Sequence, residues 1–354
     1  SGMHSNLVIT IAQWVSIAVV ALVLFLMVYI MLLRAMLIMK ERRYRKFSTL
    51  WRPILLNVDK TKPGRLPHIS HADRFSFLIL WNILREEKGA DVRIRDWMNS
   101  VAVATGIDRV AVQLLEKRST RKKLLAVVTL GQLRDKNQWG KLRQMALSDH
   151  ALLSLAATQA IARIDPEAAV PVIVPLVVSR VGWPVAKVAS ILGEIGPDLV
   201  SKFLTDAVMH APPEAMQRLI PYLETCHDAV TLPAVRQLLR NPPDDKVIGP
   251  CLNVIGKSRD TKDLKLVYHY LAHARWHVRA HAAACLGRIG TREDEEKLVA
   301  LLADPEWWVR YRAAQAIVDL PSSSMQRIHK LKDELDDRYA KDILEQVIAE
   351  KRLV

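Results

Sequence analysis

The chain has 354 residues, half of them hydrophobic but only 6% aromatic, and a net charge of +14. That balance suits alanine-, leucine- and valine-rich helices in a chain long enough for several domains or one long repeat array. Three cysteines, Cys226, Cys251 and Cys285, odd in number and without metal-ligand spacing, exclude a disulfide framework and read as small buried hydrophobes in a reducing compartment.

From Leu7 to Leu33 runs LVITIAQWVSIAVVALVLFLMVYIMLL, twenty-seven residues without a charge. About 20 apolar residues suffice to cross a bilayer as a helix. A signal peptide fits worse: the apolar core is too long, no basic region precedes it and no small-x-small cleavage site follows. The spacing predicts one transmembrane helix within residues 1–39, counting the short tail before it. Next comes KERRYRKFSTLWR, with Lys40, Arg42, Arg43, Arg45 and Lys46 against Glu41 alone. Basic residues stay on the cytoplasmic side, so the amino terminus is expected outside and everything after the helix in the cytoplasm. The five basic residues are expected to meet anionic lipid headgroups, each worth about 1 kcal/mol near the surface.

Residues 40–70 read as this basic juxtamembrane segment plus a linker from Pro53, marked by Pro63, Gly64 and Pro67. Residues 71–107 read as an irregular amino-terminal helical cap. In its first helix Phe75, Leu78, Ile79 and Ile83 share a face; in its second Ile94, Trp97, Met98, Val101 and Ala104 point inward.

A repeat then takes over. Leu130, Ile161, Leu192, Leu223, Ile255, Leu286 and Ile317 follow one another every 31 or 32 residues. Each ends a helical stripe of apolar and small residues, as in WHVRAHAAACLGRIG and WWVRYRAAQAIVDLP, and glycine often comes next: Gly131, Gly193, Gly256 and Gly287. Second helices such as EEKLVALLAD lie between, and Pro166, Pro197, Pro212, Pro242 and Pro305 fall at the junctions. No segment alternates as a strand does. The fold is therefore all-α: about seven tandem helix hairpins over 108–321, an α-solenoid whose units fold only by stacking. Residues 322–354 read as one long capping helix with Met325, Ile328, Leu331, Leu335, Tyr339 and Ile343 on a single stripe.

The pattern Val-Arg-x-x-Ala-Ala-x-x-Leu-Gly-x-Ile-Gly, carried by Val278, Arg279, Ala282, Ala283, Leu286, Gly287, Ile289 and Gly290 and again from Val309, resembles the short HEAT-like repeats of bilin lyases. With the anchor and LWRPILL, the whole resembles bacterial membrane-anchored HEAT-repeat proteins. That resemblance implies an inner-membrane, single-pass protein and an accessory role beside a membrane glycosyltransferase in exopolysaccharide synthesis or secretion.

Catalytic chemistry has no foothold. The His-Glu pairs of HEAT-type iron hydroxylases are missing, and there is no phosphate loop, nucleophile elbow or carboxylate pair. His269, His273, His277 and His281 recur every four residues, but the repeat register puts a turn near Ala274 and Arg275, which breaks the stripe. No cofactor and no metal are expected, and nucleic acid is disfavoured because much of the charge lies beside the membrane. Trp276, Arg279, His281, Arg288, Trp307, Trp308, Arg310, Tyr311 and Arg312 cluster on the second helices of the last two units. Arg279 and Arg310 suit an ion pair with a turn acid such as Asp304. Trp276, His281, Trp307, Trp308, Arg310, Tyr311 and Arg312 form the expected partner-binding surface, since Trp, Tyr and Arg dominate interface energetics. The expected function is a non-catalytic membrane-anchored scaffold. The alternative is a signalling adaptor binding a cyclic dinucleotide or a response regulator through the same Arg/Trp surface.

Overall fold

A computed structural model describes residues 2–58, 66–89 and 91–352. Among them all regular structure is helical, and the chain forms two compact units, residues 1–133 and 134–354.

The first unit holds α1 (Gly2–Leu56), α2 (Arg74–Lys88), α3 (Val92–Ala104), α4 (Ile107–Leu115) and α5 (Thr120–Leu133). The apolar part of α1 is long enough to cross a membrane, and every side chain from Val20 to Met39 is exposed. The linker expected from Pro53 starts later: α1 runs on through the basic segment to Leu56. Pro63 and Gly64 lie outside the described residues. Phe47, Trp51 and Leu55 stand one turn apart on the face of α1 that meets α2 and α3, and Trp51 and Leu55 are fully buried. Trp51 meets Phe77 edge-on at 5.0 Å, and the indole N–H of Trp97 caps α1 by donating to the Ile54 carbonyl at 2.9 Å. This burial overrides the helix-breaking tendency of Pro53.

Helix α2 is central in this unit and touches α1, α3, α4 and α5. Its buried residues therefore go nearly all round: Phe77, Leu78, Leu80, Trp81 and Leu84, with Ile83 exposed. The expected face of Phe75, Leu78, Ile79 and Ile83 held only for Leu78, because a helix with neighbours on several sides has no single stripe.

The second unit stacks hairpins. α6 (Trp139–Ala146) pairs with α7 (Ala151–Ile164), α8 (Pro166–Ser179) with α9 (Val185–Ile195), and α10 (Pro197–His210) with α11 (Pro213–Leu219). α12 (Asp228–Arg240) pairs with α13 (Asp245–Ser258), α14 (Leu264–Tyr270) with α15 (Trp276–Ile289), and α16 (Glu295–Leu301) with α17 (Trp307–Asp319). Second helices pack on second helices: α7 on α9, then α13 on α15 and α15 on α17. The register breaks at Pro221, where α11 passes into a 3-10 turn, Ile220–Thr225; this is the stretch where the ladder takes its one 32-residue step. All seven ladder residues are buried, none more than 2% exposed.

The carboxy-terminal segment is two helices, not one: α18 (Met325–Glu334) and α19 (Arg338–Arg352). Asp337 ends the gap by accepting the Tyr339 backbone N–H at 2.9 Å. On α19 the buried stripe is Ala340, Ile343, Leu344, Val347 and Ile348, packed on α17; Tyr339 and Met325 are exposed. Ile348 lies 31 residues beyond Ile317 and is buried, so α18–α19 continues the ladder as a further hairpin. Its outward residues, Asp342, Glu345, Gln346 and Glu350, are polar.

Candidate functional site

The last hairpins share one local design. α14 stops at Tyr270, and a turn holding Ala274 and Arg275 leads into Trp276, so the histidine series is split between two helices. Among the described residues no group of His, Cys, Asp or Glu is placed to hold a metal ion. Arg279 folds back on that turn: one Nη donates to the carbonyls of His273 and Ala274 at 2.8 and 3.1 Å. Its Nε and other Nη grip Asp304 of the next hairpin at 2.7 and 2.9 Å. Thirty-one residues on, Arg310 repeats the first half, donating to the carbonyls of Asp304 and Pro305 at 2.7 and 3.1 Å. The acid's counterpart one repeat later is Leu335, and the Nε of Arg310 is buried without a partner.

Arg310 therefore closes a turn and is half-buried. His281 is half-buried too. Its ring lies against Gly249 of α13, where an added methyl would come within 2.6 Å of it. Burial, then Arg312 and His277, push its pKa below the usual 6.5, so it packs as a neutral ring at pH 7. Arg288, near the far end of α15, lines a groove with Lys257 and Asp319, about 18 Å along the helix from Trp276 at 1.5 Å per residue.

What remains exposed is aromatic. Trp276 and Trp307 open α15 and α17 at the same register, 42% and 40% exposed, and Trp308 is 52% exposed. Trp308 stands edge-on to Trp307 at 4.8 Å, and Tyr311 stacks flat on Trp307 at 5.1 Å. The Tyr311 hydroxyl donates to Glu350 of α19 at 2.6 Å, which raises its pKa and props the tryptophans. Arg312 is exposed and, among the described residues, donates to Gln315 at 2.8 Å. The sequence reading missed Tyr339, which it turned inward. It lies 31 residues past Trp308, at the same position of the next second helix, and is 74% exposed. The register itself was the signal. In the preceding second helices the position is His277, Lys246 and Glu214, so Trp308 and Tyr339 belong to the last two hairpins, and Trp276 and Trp307 extend the row one residue earlier in the register.

In the first unit Lys40, Arg42, Arg43, Arg45 and Lys46 are all exposed on α1. Two are committed within the protein: Arg43 donates to Asp73 at 2.9 Å, holding that carboxyl below its usual range together with Ser70, and Arg45 pairs with Glu41 at 2.6 Å. Arg52 reaches Glu87 at 3.2 Å. Lys40, Arg42 and Lys46 make no ion pair among the described residues. Of the cysteines, Cys251 and Cys285 are buried and free, their thiols pushed up to about 12 by burial; Cys226 is half-buried.

Residues 232–318, from within α12 to the end of α17, match the family model of HEAT repeats. No curated protein matches the chain. The match and the stacked hairpins support a HEAT-repeat protein, and HEAT repeats suggest a protein-interaction scaffold.

Proposed function

We propose that the protein is a non-catalytic scaffold, anchored in a membrane by α1, that docks a protein partner on the row Trp276, Trp307, Trp308 and Tyr339. The observation that carries this reading is that three successive second helices each open on a large exposed aromatic at one of two adjacent registers, Trp276 and Trp307 at the first, Trp308 and Tyr339 at the next. Helices packed 8–10 Å apart place those rings about 10 Å from one another. An extended partner chain offers that spacing every third residue, and a helix at every seventh. The exposed apolar face of α1 supports lipid as its surroundings, since a soluble helix buries such a face. The basic segment after it supports a cytoplasmic orientation. The finer proposal, resting on the resemblance of the chain, is that the partner is a bacterial inner-membrane glycosyltransferase making or exporting a polysaccharide.

A nucleotide-binding reading is less supported, because Arg279 and Arg310 are committed to a carboxylate and turn carbonyls, while Arg275, Arg312 and Arg338 stay exposed beside the rings.

Affinity capture of the intact protein from solubilised membranes tests the scaffold. The wild type should retain a membrane glycosyltransferase, and Trp308→Ala with Tyr339→Ala should lower its recovery about tenfold or more, as for loss of two hot-spot aromatics, with the melting temperature unchanged. Equal recovery by both proteins would remove the row from the interface. Recovery of no glycosyltransferase would remove the finer proposal.

A further inference from the structure

The net charge is unevenly placed. Residues 1–133 hold 21 Lys and Arg against 9 Asp and Glu, and residues 134–354 hold 30 against 28, so +12 of the +14 belongs to the first unit. The segment on α1 accounts for only part of it. A second concentration is the turn from α4 to α5, EKRSTRKK, with Lys117, Arg118, Arg121, Lys122 and Lys123 inside seven residues. The first four are exposed.

Contacts along α2 place this turn. Asp73 and Glu87, at the two ends of α2, meet Arg43 and Arg52 of α1, so α2 runs parallel to α1. Phe75 lies under the Arg121 guanidinium at 5.8 Å, Asn82 donates to Thr129 at 2.8 Å, and Arg85 donates to the Gln132 carbonyl at 3.0 Å, so α5 runs parallel to α2. The starts of α2 and α5 therefore lie level with Arg43. Arg43 is ten residues past Leu33, about 15 Å at 1.5 Å per residue. The headgroup layer takes up about 5–8 Å of that height, and the Debye length at physiological salt is about 8 Å. The turn before α5 thus sits on the bilayer side of the unit, within electrostatic reach of the surface.

We propose that the α4–α5 turn is a second anionic-lipid contact, which with the basic segment on α1 seats the first unit flat on the headgroups. The inference rests on the reading of α1 as a membrane anchor. A lipid surface is the occupant because the turn is aligned with the bilayer end of the same helix bundle, and arginine and lysine beside a bilayer gain from each anionic headgroup they approach. Anchor and turn fix three degrees of freedom that a single helix leaves open: the height, the tilt and the rotation of the unit.

The test uses the full chain in nanodiscs, with a fluorophore on Ser119→Cys in a Cys226→Ala background and a quencher on the lipid headgroups. Exchanging phosphatidylcholine for a mixture with about one third phosphatidylglycerol should raise quenching about threefold at physiological salt. Charge reversal at Lys117, Arg118 and Lys122 to Glu should abolish the rise, with an unchanged melting temperature, while Arg109→Glu should leave it. No rise, or a rise that survives the triple reversal, overturns the proposal while α1 stays in the membrane. Extraction of the wild type from vesicles by alkaline carbonate overturns the anchor and the proposal together. Retention of RNA by the same three residues in place of the lipid response assigns the turn to nucleic acid and overturns the proposal as well.

Discussion

Gly287 and Gly193 occupy the same place in their repeats, one residue after the ladder, yet the structure gives them opposite meanings. A Cβ on Gly287 would come within 2.5 Å of the Ala316 backbone, which cannot swing aside as a side chain could. A Cβ on Gly193 meets nothing within 4 Å. Gly287→Ala should therefore destabilise by about 1–3 kcal/mol through overpacking, and Gly193→Ala should stabilise by about 0.5–1 kcal/mol through helix propensity. Thermal or urea unfolding of the two variants checks the pair; the same sign for both would contradict the packing of α15 on α17. The sequence made the glycine register legible but not this difference, because close approach depends on which residue of the neighbouring helix arrives opposite. His281 shows the same limit. It looked like an interface residue, and a glycine on α13 makes it a packing residue.

Hairpins are joined by ion pairs as well as by the ladder, and Arg279–Asp304 is the most buried of those in the last three. Burial alone would raise the Asp304 carboxyl, but Arg279 and the Glu306 backbone N–H outweigh it and hold the pKa below 3.8. A carboxylate whose folded pKa is depressed contributes stability that is full above its unfolded pKa and lost as pH falls through the folded one. The melting temperature should thus be steady from pH 7 to about 5 and fall below about 4. Asp304→Asn should lower it at pH 7, by about 3 kcal/mol in stability since Arg279 is left without its partner, and should flatten the acid fall. An unflattened fall would place the acid sensitivity elsewhere. Helix boundaries were the less legible part of the elements. Pro53 suggested a break that the burial of Trp51 and Leu55 overrides, although Phe47, Trp51 and Leu55 at four-residue spacing already marked a continuing helix. Similarly, Leu335 looked like one more residue of a terminal stripe, whereas Asp337 caps a new helix and Ile348 keeps the 31-residue step.

Taken whole, the chain separates its tasks. The first unit carries the apolar helix, nearly all the net charge and the contacts that lock α1 to α2 and α3; the second is close to neutral and presents the aromatic row. Periodicity made the repeats legible because a 31-residue step in buried residues is dictated by stacking identical hairpins. Stacking does not dictate what an exposed position holds, and Tyr339 reads as inward when one long terminal helix is assumed, although the 31-residue step from Trp308 already marks its place. Photo-cross-linking in intact membranes is the measurement that bears on the scaffold as a whole. A photoreactive residue at Trp308 or at Tyr339 should trap one and the same membrane partner, and one at Glu345, turned away from Tyr339 on the α18 side of α19, should trap none. Capture from Glu345 equal to that from the row, or different partners from Trp308 and Tyr339, would contradict a single docking edge built by the repeat.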